Sequence, residues 1–469
     1  MRTAKQPLWN TFVWGLIGVV VLAAMARGIF ALAGQAPGVT TGAPVNVVSP
    51  VNPGDWTQSR YDVYGTGANP TARITTANAG QLAPLWTYHS PVGPFSSTPA
   101  IVGDTLYATT GKFLYAFDLR TGTPRWRFEV LKNPYGALLT SSVAVDPTTH
   151  MAYFGTPDAR VYGVDTQTGK GVWNIQLGDP QQGAFIWGSP LLVNGKLYIG
   201  LASREDNPCI RSGVFALNPA TGAIEWTHWT TPADTLGGGV WSSISADPAQ
   251  HALLVTTSNA CPFGPVIADE DAILALDWDT GATQWRYTAI HHDDDFDFGQ
   301  GAVSFTYGGV PYVVAGNKYG VVYSVVPPTS PGGQPRLAWA TRITGAGYLS
   351  FSGIYQPPAY RNGVIYVAGG PTLDNACPKG AVWALDARSG APLWRQCTAS
   401  QVVSPGAISG NVLFISDNNG IYGFDVNTGR KVWSAPLTGP LWGGIAIVGG
   451  MVVVGTVPGD LHAYSLPAA

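Results

Sequence analysis

An acidic run in the second half of the chain holds a dense group of side chains that could move protons or bind cations. It reads His291-His-Asp-Asp-Asp-Phe-Asp297-Phe-Gly299. A carboxylate can act as a general base when it lies within hydrogen-bond reach of a hydroxyl, and carboxylates are ligands that hard cations prefer. Two other interpretations stay open, a solvated surface loop and a calcium loop unrelated to catalysis. We expect His291 and His292 to be loop residues rather than ligands.

Four more side chains are of types that could contribute to chemistry: Glu205, Trp241, Asn259 and Lys318. Carboxylate and amide oxygens bind Ca²⁺, an indole offers a flat apolar face, and a lysine can stabilise a developing negative charge. Each also has an ordinary explanation as a solvated loop acid, a core tryptophan, a turn asparagine or a solvated lysine. Taken singly, none of them establishes a site.

The elements that must position these residues follow from an internal repeat. One copy runs Leu114-Tyr-Ala-Phe-Asp118, continues through Thr121-Gly122 and ends at Trp126. Tryptophans anchor eight such copies, 39 to 59 residues apart: Trp86, Trp126, Trp173, Trp226, Trp285, Trp339, Trp394 and Trp433. A period of this size indicates a propeller or another repeat array.

Each repeat has the pattern of a β-sheet. Its apolar and polar residues alternate, as in strands, and its Asp-x-x-Thr-Gly turn suits a hairpin because Gly accepts positive φ. Residues 141–176 contain one whole unit, with strands predicted at 141–145, 151–155, 160–164 and from about Val172. The sequence therefore predicts an all-β, eight-bladed propeller of four-stranded antiparallel blades. An ordinary β-sandwich does not predict a tryptophan recurring at one register.

The last blade is predicted to be closed by strands from both chain ends. Trp86 has the outer-strand pattern without the strand that should precede it, and residues 443–464 supply strands without a final Trp. Closure of this kind removes an exposed sheet edge. We expect the propeller to span residues 56–466.

The N-terminus carries a membrane or export signal. Arg2 and Lys5 precede an uncharged stretch from Gln6 to Ala26. This stretch fits either a spanning helix of about 20 residues or a cleaved signal peptide, and both export the domain. We expect residues 1–33 to be the anchor or signal, with a slight preference for the anchor, and residues 34–55 to be a flexible Pro/Gly-rich linker.

Composition narrows the function further. The net charge is −3 and only 11% of residues are charged, with no basic block, so nothing indicates a nucleic-acid partner. The even number of cysteines, four, suits an oxidising compartment. A Cys209–Cys261 bridge would join two of the non-repeat segments and Cys377–Cys397 would be the other pair, although four unpaired thiols remain an alternative.

The repeat unit resembles that of pyrroloquinoline quinone (PQQ) propellers over nearly all of residues 55–466. The lead-in from Trp56-Thr-Gln-Ser-Arg-Tyr61 through Ile74-Thr-Thr-Ala-Asn78 resembles quinoprotein alcohol dehydrogenases. The Asp-x-Asp-Phe-Gly form of the acidic run is similar to the poly(vinyl alcohol) dehydrogenase branch. The same blades occur in outer-membrane assembly lipoproteins without a cofactor, so chemistry must be argued from the site.

The resemblance implies roles for residues at matching positions. Asp297 would be the general base, and Lys318 in Gly316-Asn-Lys318-Tyr-Gly320 would contact the quinone oxygens. Trp241 in Gly237-Gly-Gly-Gly-Val-Trp241 would stack on the quinone. The segment Gly200-Leu-Ala-Ser203-Arg-Glu205 and the segment Thr256-Thr-Ser-Asn259 would supply metal ligands, so that Glu205, Asn259 and Asp297 hold Ca²⁺. Ser203 and Trp187 complete the expected cofactor contacts.

The sequence departs from the family in several places. The family's adjacent-cysteine disulfide is missing, and Leu131-Lys-Asn-Pro-Tyr-Gly136 occupies that region, where the following cofactor-binding Arg also has no clear match. Trp187 stands where a hydroxyl residue often binds the cofactor. Gly299 replaces the second Asp of lanthanide-dependent forms, which favours Ca²⁺.

The expected function is an exported, membrane-tethered quinoprotein dehydrogenase. It would oxidise a small alcohol or polyol with PQQ and Ca²⁺ and pass electrons to an external cytochrome or quinone. The principal alternative is a non-catalytic envelope propeller that acts as an assembly or binding scaffold. A degenerate dehydrogenase that binds a ligand without turnover is a third possibility.

Overall fold

The computed structural model describes residues 54–131, 139–205, 208–261, 267–289, 295–330, 332–346 and 352–467. The predicted anchor or signal, nearly all of the predicted linker, and residues 291–294 of the acidic run lie outside these ranges. Within these ranges, no helix has the length and apolar character needed to cross a bilayer.

The lead-in segment and the first two blades contain ten strands. The lead-in contributes β1 (Ala68–Asn69) and β2 (Ala83–His89). Blade 1 consists of β3 (Ala100–Val102), β4 (Thr105–Thr110), β5 (Phe113–Asp118) and β6 (Pro124–Glu129). Blade 2 consists of β7 (Ala144–Asp146), β8 (Met151–Gly155), β9 (Arg160–Asp165) and β10 (Gly171–Gln176).

The next three blades carry the non-repeat segments. Blade 3 consists of β11 (Ala184–Phe185), β12 (Leu191–Val193), β13 (Lys196–Ser203), β14 (Gly213–Leu217) and β15 (Ile224–Trp229). Blade 4 consists of β16 (Ser245–Asp247), β17 (Ala252–Thr256), β18 (Ala272–Asp277) and β19 (Thr283–Thr288). Blade 5 consists of β20 (Val303–Tyr307), β21 (Val310–Gly316), β22 (Val321–Val326) and β23 (Arg336–Arg342).

The last three blades return to the regular repeat. Blade 6 consists of β24 (Ala359–Arg361), β25 (Val364–Gly369), β26 (Ala381–Asp386) and β27 (Pro392–Cys397). Blade 7 consists of β28 (Ala407–Ser409), β29 (Val412–Asp417), β30 (Gly420–Asp425) and β31 (Lys431–Pro436). Blade 8 contains β32 (Ala446–Val448), β33 (Met451–Gly455) and β34 (Asp460–Ser465). Three single turns of 3-10 helix span Ala79–Gln81, Pro180–Gln182 and Pro248–Gln250.

The predicted eight-bladed architecture is confirmed. Every blade contains four antiparallel strands, which follow chain order in blades 1 to 7. In blade 8, β2 supplies the fourth strand by pairing with β34, Trp86 opposite Ala463. Strands from both ends of the described chain therefore close the wheel, as expected. Two additions were not predicted: β1 extends blade 7 by parallel pairing with β28, and β11 pairs with the end of β13.

The first strands of the blades form the hub. Contacts between first strands join neighbouring blades, including β3 with β7 and β3 with β32 across the closure. Hydroxyl groups link the backbones just before these strands: Ser142 Oγ accepts from Thr98 N (2.9 Å), Ser189 Oγ from Ser142 N (3.0 Å) and Ser243 Oγ from Ser189 N (3.0 Å). Blade 2 accordingly begins its first strand at Ala144 rather than at the predicted Ser141, because these amides bond between blades.

The recurring tryptophan docks each blade on the next. Trp126 Nε1 donates to Thr166 O in the following blade (3.0 Å), and a Cβ on Gly169 would come within 2.7 Å of the Trp126 ring. Gly169 has φ +69°, and Asp165 Oδ1 accepts from Thr168 N and Oγ1 (both 2.7 Å), which is the predicted turn chemistry. The tryptophan and the turn thus recur together because they form one interblade contact.

The hydrophobic core lies between adjacent sheets. One buried cluster combines Leu114 and Ala116 of blade 1 with Phe154, Tyr162 and Val164 of blade 2. Outer strands alternate exposed and half-buried residues, as in β6. The inner ends of the blades are thereby held in fixed register around the axis.

Candidate active site

A ring of eight side-chain positions surrounds one end of the hub. All first strands run in the same direction, so the residues that precede them lie at the same face of the wheel. In every blade a buried residue precedes this position, and the position itself is the fourth residue before the first strand. Its occupants are, in blade order, Ser96, Thr140, Trp187, Trp241, Gly299, Tyr355, Val403 and Trp442.

The segment before β20 brings Asp297 into this region. Asp297 is 2% exposed, and its Oδ2 accepts a hydrogen bond from Trp241 Nε1 (3.1 Å). Its Oδ1 lies 2.7 Å from Lys318 Nζ. The two residues also bond through the backbone, because Lys318 N donates to Asp297 O at 2.9 Å. A buried carboxylate held by a cation and an indole N–H is an arrangement that needs all three partners.

Lys318 lies in the turn between β21 and β22, not on a solvated hairpin tip. Its side chain is 10% exposed, it pairs with Asp295 as well as Asp297, and its Nζ lies 4.8 Å from the centre of the Trp241 ring. Burial by itself lowers the Lys318 pKa, but Asp297 and Asp295 outweigh burial, so the net shift is upward. The ammonium group stays protonated at physiological pH.

Two residues of the site were not singled out from the sequence. One is Asp295, which contacts Lys318 directly and adopts φ +96°. Tyr355 occupies the ring position of blade 6, and its pKa is raised by burial, with Lys318 opposing and Asp295 and Asp297 adding to the shift. Its position, four residues before a first strand, is the signal that would have found it.

Trp187 and Ser203 lie together on blade 3. Trp187 Nε1 donates to Ser203 O (3.0 Å), and the Trp187 ring centre lies 4.2 Å from that of Phe185. Ser203 Oγ accepts from Ile210 N (3.0 Å), so its hydroxyl takes part in local structure. Trp187 lies one blade from Trp241 on the ring.

The two loops expected to supply metal ligands are joined to each other. Cys209 and Cys261 form a disulfide, with 6.1 Å between the Cα atoms, and Cys377–Cys397 is also bonded, so both predicted pairs are confirmed. Gly237 N donates to Ile210 O (2.8 Å) and pairs with Ala260. The disulfide and these backbone contacts therefore hold the two loops against the glycine-rich segment 237–240, which precedes Trp241.

The ligand side chains themselves differ in environment. The Glu205 carboxylate is 59% exposed and lies 3.9 Å from Arg204 Nε. Asn259 Nδ2 donates to Ala260 O (3.1 Å), which leaves the amide oxygen as its acceptor. The described residues contain no group of three His, Cys, Asp or Glu side chains placed to hold a metal ion. The structure thus brings Asp297, Lys318 and Trp241 into one contacting group and leaves Glu205 with an exposed carboxylate.

Comparison with known proteins agrees with this architecture. The family model described as "Outer membrane protein assembly factor BamB", a PQQ-repeat model, matches residues 63–205 and 273–467. The chain belongs to the PQQ-repeat propeller family. Fold and family membership were both expected from the repeat.

The relatives of this PQQ-repeat protein include alcohol dehydrogenases. The chain is 25% identical to a polyvinylalcohol dehydrogenase of a Pseudomonas species, over 72% of this chain and 59% of that protein. It is also 25% identical to quinoprotein alcohol dehydrogenase PedH of Pseudomonas putida, over 99% of this chain and 87% of that protein. The chain therefore spans less than two thirds of the length of the first of these relatives.

A solved structure of the same fold is a europium-containing methanol dehydrogenase. It superimposes with a TM-score of 0.77 at 18% identity, covering 88% of this chain and 98% of that one. Identity this low shows a shared fold only. The chemistry of the PQQ-repeat protein has to be inferred from its own hub.

Proposed function

We propose that this chain is an exported quinoprotein dehydrogenase that oxidises an alcohol. The observation that supports the proposal best is the buried Asp297–Lys318 ion pair, in contact with the half-buried Trp241, at the hub. Burying a carboxylate and an ammonium group costs desolvation energy that a structural propeller has no need to spend. A scaffold protein could fill the same space with apolar residues.

The hub has features that a planar, negatively polarised cofactor requires. Trp241 offers an aromatic face, and Lys318 Nζ stands 4.8 Å from that ring. PQQ, when bound with Ca²⁺, supplies a two-electron acceptor whose carbonyl is polarised by the ion. Cofactor contacts from Trp187 and Ser203, and metal contacts from Glu205, Asn259 and Asp297, belong to this proposal.

The residues of the chain have separate tasks in alcohol oxidation. The Asp297 carboxylate accepts the hydroxyl proton, for which it must come within hydrogen-bond reach of the substrate. Trp241 Nε1 and Lys318 Nζ fix the carboxylate, so little reorganisation is needed when the proton moves. Lys318 remains cationic and stabilises negative charge that develops nearby during the reaction.

We infer the setting of the enzyme from its N-terminal segment and its disulfides. Two disulfides are stable in an oxidising compartment, and residues 1–33 would carry the domain out of the cytoplasm, with a membrane anchor as the preferred form. Electrons would pass to an external cytochrome or quinone. The competing proposal, an assembly scaffold, is supported by the match to the family model of an outer membrane protein assembly factor.

Reconstitution distinguishes the two proposals. Purified protein is incubated with PQQ and Ca²⁺, or with PQQ and a lanthanide ion, and dye reduction is followed with a panel of alcohols. We expect a spectral change on cofactor binding and alcohol-dependent dye reduction. Absence of both, in a protein whose circular dichroism shows the folded propeller, would leave the scaffold as the function.

A further inference from the structure

The axial ring is uncharged, whereas the groups that would do chemistry approach it from one blade. None of its eight residues, all of them described, carries an ionisable acid or base apart from the Tyr355 phenol. Asp295 and Asp297 lie in the segment that precedes β20, and Lys318 lies in the β21–β22 turn, so all three belong to blade 5. The ring therefore has a charged flank at blade 5 and an apolar or neutral remainder.

Trp442 lies across the axis from Trp241. The two residues hold the same position in blades 8 and 4, and four blades of an eight-bladed wheel correspond to half a turn. Trp442 is 47% exposed, although the residue before it, Leu441, is 2% exposed. A large exposed indole at a hub otherwise built from half-buried and buried side chains calls for an explanation.

The backbone at Trp442 has no room to sink inward. A Cβ on Gly443 would come within 2.4 Å of the Ser97 backbone, and Gly444 N donates to Thr98 Oγ1 (2.8 Å). The segment is thus packed tightly against the backbone of blade 1. Because the adjacent backbone is held by this packing, the Trp442 indole cannot relieve its exposure by a small backbone shift.

We propose that Trp442 forms the apolar wall of the substrate site, and that the substrate is an alcohol whose hydroxyl is carried on an apolar chain. This inference rests on the proposed function. The hydroxyl must reach the carboxylate flank at blade 5, and the remainder of the molecule then extends over Val403 in blade 7 towards Trp442 in blade 8. Contact with these side chains stabilises methylene groups and offers nothing to a polyol, whose hydroxyls would lose water without gaining partners.

The energetic consequence is a dependence on chain length. Each methylene that moves from water to an apolar surface contributes up to about a fourfold gain in kcat/KM. Ethanol, butan-1-ol and hexan-1-ol should therefore be oxidised with rising kcat/KM, and glycerol should be a poor substrate. Enzymes that bind only the reacting end show no such slope.

The test compares Trp442→Ala and Trp442→Phe with Trp229→Ala in the PQQ-reconstituted protein. Trp229 is a matched control because it is 38% exposed at the end of the outer strand β15, away from the hub. We expect Trp442→Ala to lower the hexan-1-ol to ethanol ratio of kcat/KM about tenfold, Trp442→Phe to give an intermediate ratio, and Trp229→Ala to leave it unchanged. An unchanged ratio in Trp442→Ala, or a wild-type preference for glycerol, overturns the proposal.

A second readout does not depend on turnover. Protein labelled with 5-fluorotryptophan gives a ¹⁹F resonance for Trp442, identified by its loss in Trp442→Phe. Hexan-1-ol should shift this resonance and leave that of Trp229 in place. If the resonance shifts but no alcohol is oxidised, the dehydrogenase proposal fails, and contact between Trp442 and the alkyl chain is supported. If alcohols are oxidised but the resonance does not move, only the proposal for Trp442 fails.

Discussion

Lys318 and Asp297 are joined twice, by an ion pair of 2.7 Å between Nζ and Oδ1 and by a backbone hydrogen bond of 2.9 Å from Lys318 N to Asp297 O. The backbone hydrogen bond fixes the β21–β22 turn against the segment that precedes β20. The side-chain pair therefore does not depend on two flexible side chains finding each other. The fold of blade 5 therefore holds the Lys318–Asp297 ion pair in place at the hub.

Asp297→Asn should abolish turnover while leaving the fold intact. Asparagine keeps the shape and can still accept the Trp241 Nε1 hydrogen bond, but it cannot take up the substrate proton. We expect kcat to fall by roughly 10²–10⁴-fold, with cofactor binding retained in an absorbance titration. Asp279→Asn, on an exposed outer turn, is the matched control and should keep wild-type kcat. Equal activity in the two variants would show that Asp297 is not the base.

Lys318→Met should destabilise the protein because it leaves two carboxylates near the hub without their cation. The loss in unfolding free energy is expected to be about 3 kcal/mol in urea denaturation. Neighbouring carboxylates raise the Lys318 pKa above its usual 10.5, so the stabilisation is fully present below that pH. The loss should therefore be similar at pH 7 and pH 9. Lys318→Arg, which keeps the charge, should lose much less stability.

The propeller was predictable because the evidence for each blade is local. Asp165, Gly169 and Trp173 lie within one repeat, and their contacts recur with the same spacing around the wheel. The closure of blade 8 could also be predicted, since a half-repeat at each end has one way to be completed. Local patterns of this kind are readable without knowledge of the tertiary structure.

The composition of the site was predictable only in part. Asp297, Trp241 and Lys318 were named from the sequence and contact one another in the structure, but their roles stay predictions. Tyr355 and Trp442 were missed because the site residues were chosen from motifs that resemble the family, and neither residue lies in such a motif. Their shared position, four residues before a first strand, is recognised once the strands are known. Glu205 and Asn259 lie in loops that interrupt the repeat, so the positions of their side chains depend on tertiary contacts. Whether they bind a metal stays a prediction.

Removal of Cys209–Cys261 should affect both stability and the proposed cofactor site. The bridge closes a separation of 52 residues, for which chain entropy gives about 4 kcal/mol, and Cys377–Cys397 closes 20 residues, for about 3 kcal/mol. Serine pairs at either bridge should therefore lower the melting temperature. PQQ affinity should weaken only in the first pair, which supports the segment before Trp241. Equal PQQ affinity in the two serine variants would show that the Cys209–Cys261 disulfide does not support the proposed cofactor site.

Asp62 should make the fold less stable as pH rises from about 4 to 6. Burial raises its pKa to about 6, against hydrogen bonds from Thr66 and the charge of Arg60, which lower it. A carboxyl with a raised pKa binds more protons folded than unfolded between these values, so its contribution to stability declines as pH rises through that window. The decline is on the order of 1–3 kcal/mol. Asp62→Asn should flatten it in urea titrations at pH 4, 5, 6 and 7.

The interblade role of the turn glycine can be separated from its backbone conformation. Gly169 and Gly195 have nearly the same φ, +69° and +70°, but a Cβ on Gly169 would meet the Trp126 ring at 2.7 Å, whereas nothing lies within 4 Å of one on Gly195. Gly195→Ala should cost only the left-handed conformation, about 1–2 kcal/mol. Gly169→Ala should cost at least about 1 kcal/mol more, since overpacking adds to that strain. In Trp126→Ala, where the ring is gone, the two glycine substitutions should cost the same; if Gly169→Ala still costs more there, the tryptophan is not what its Cβ meets.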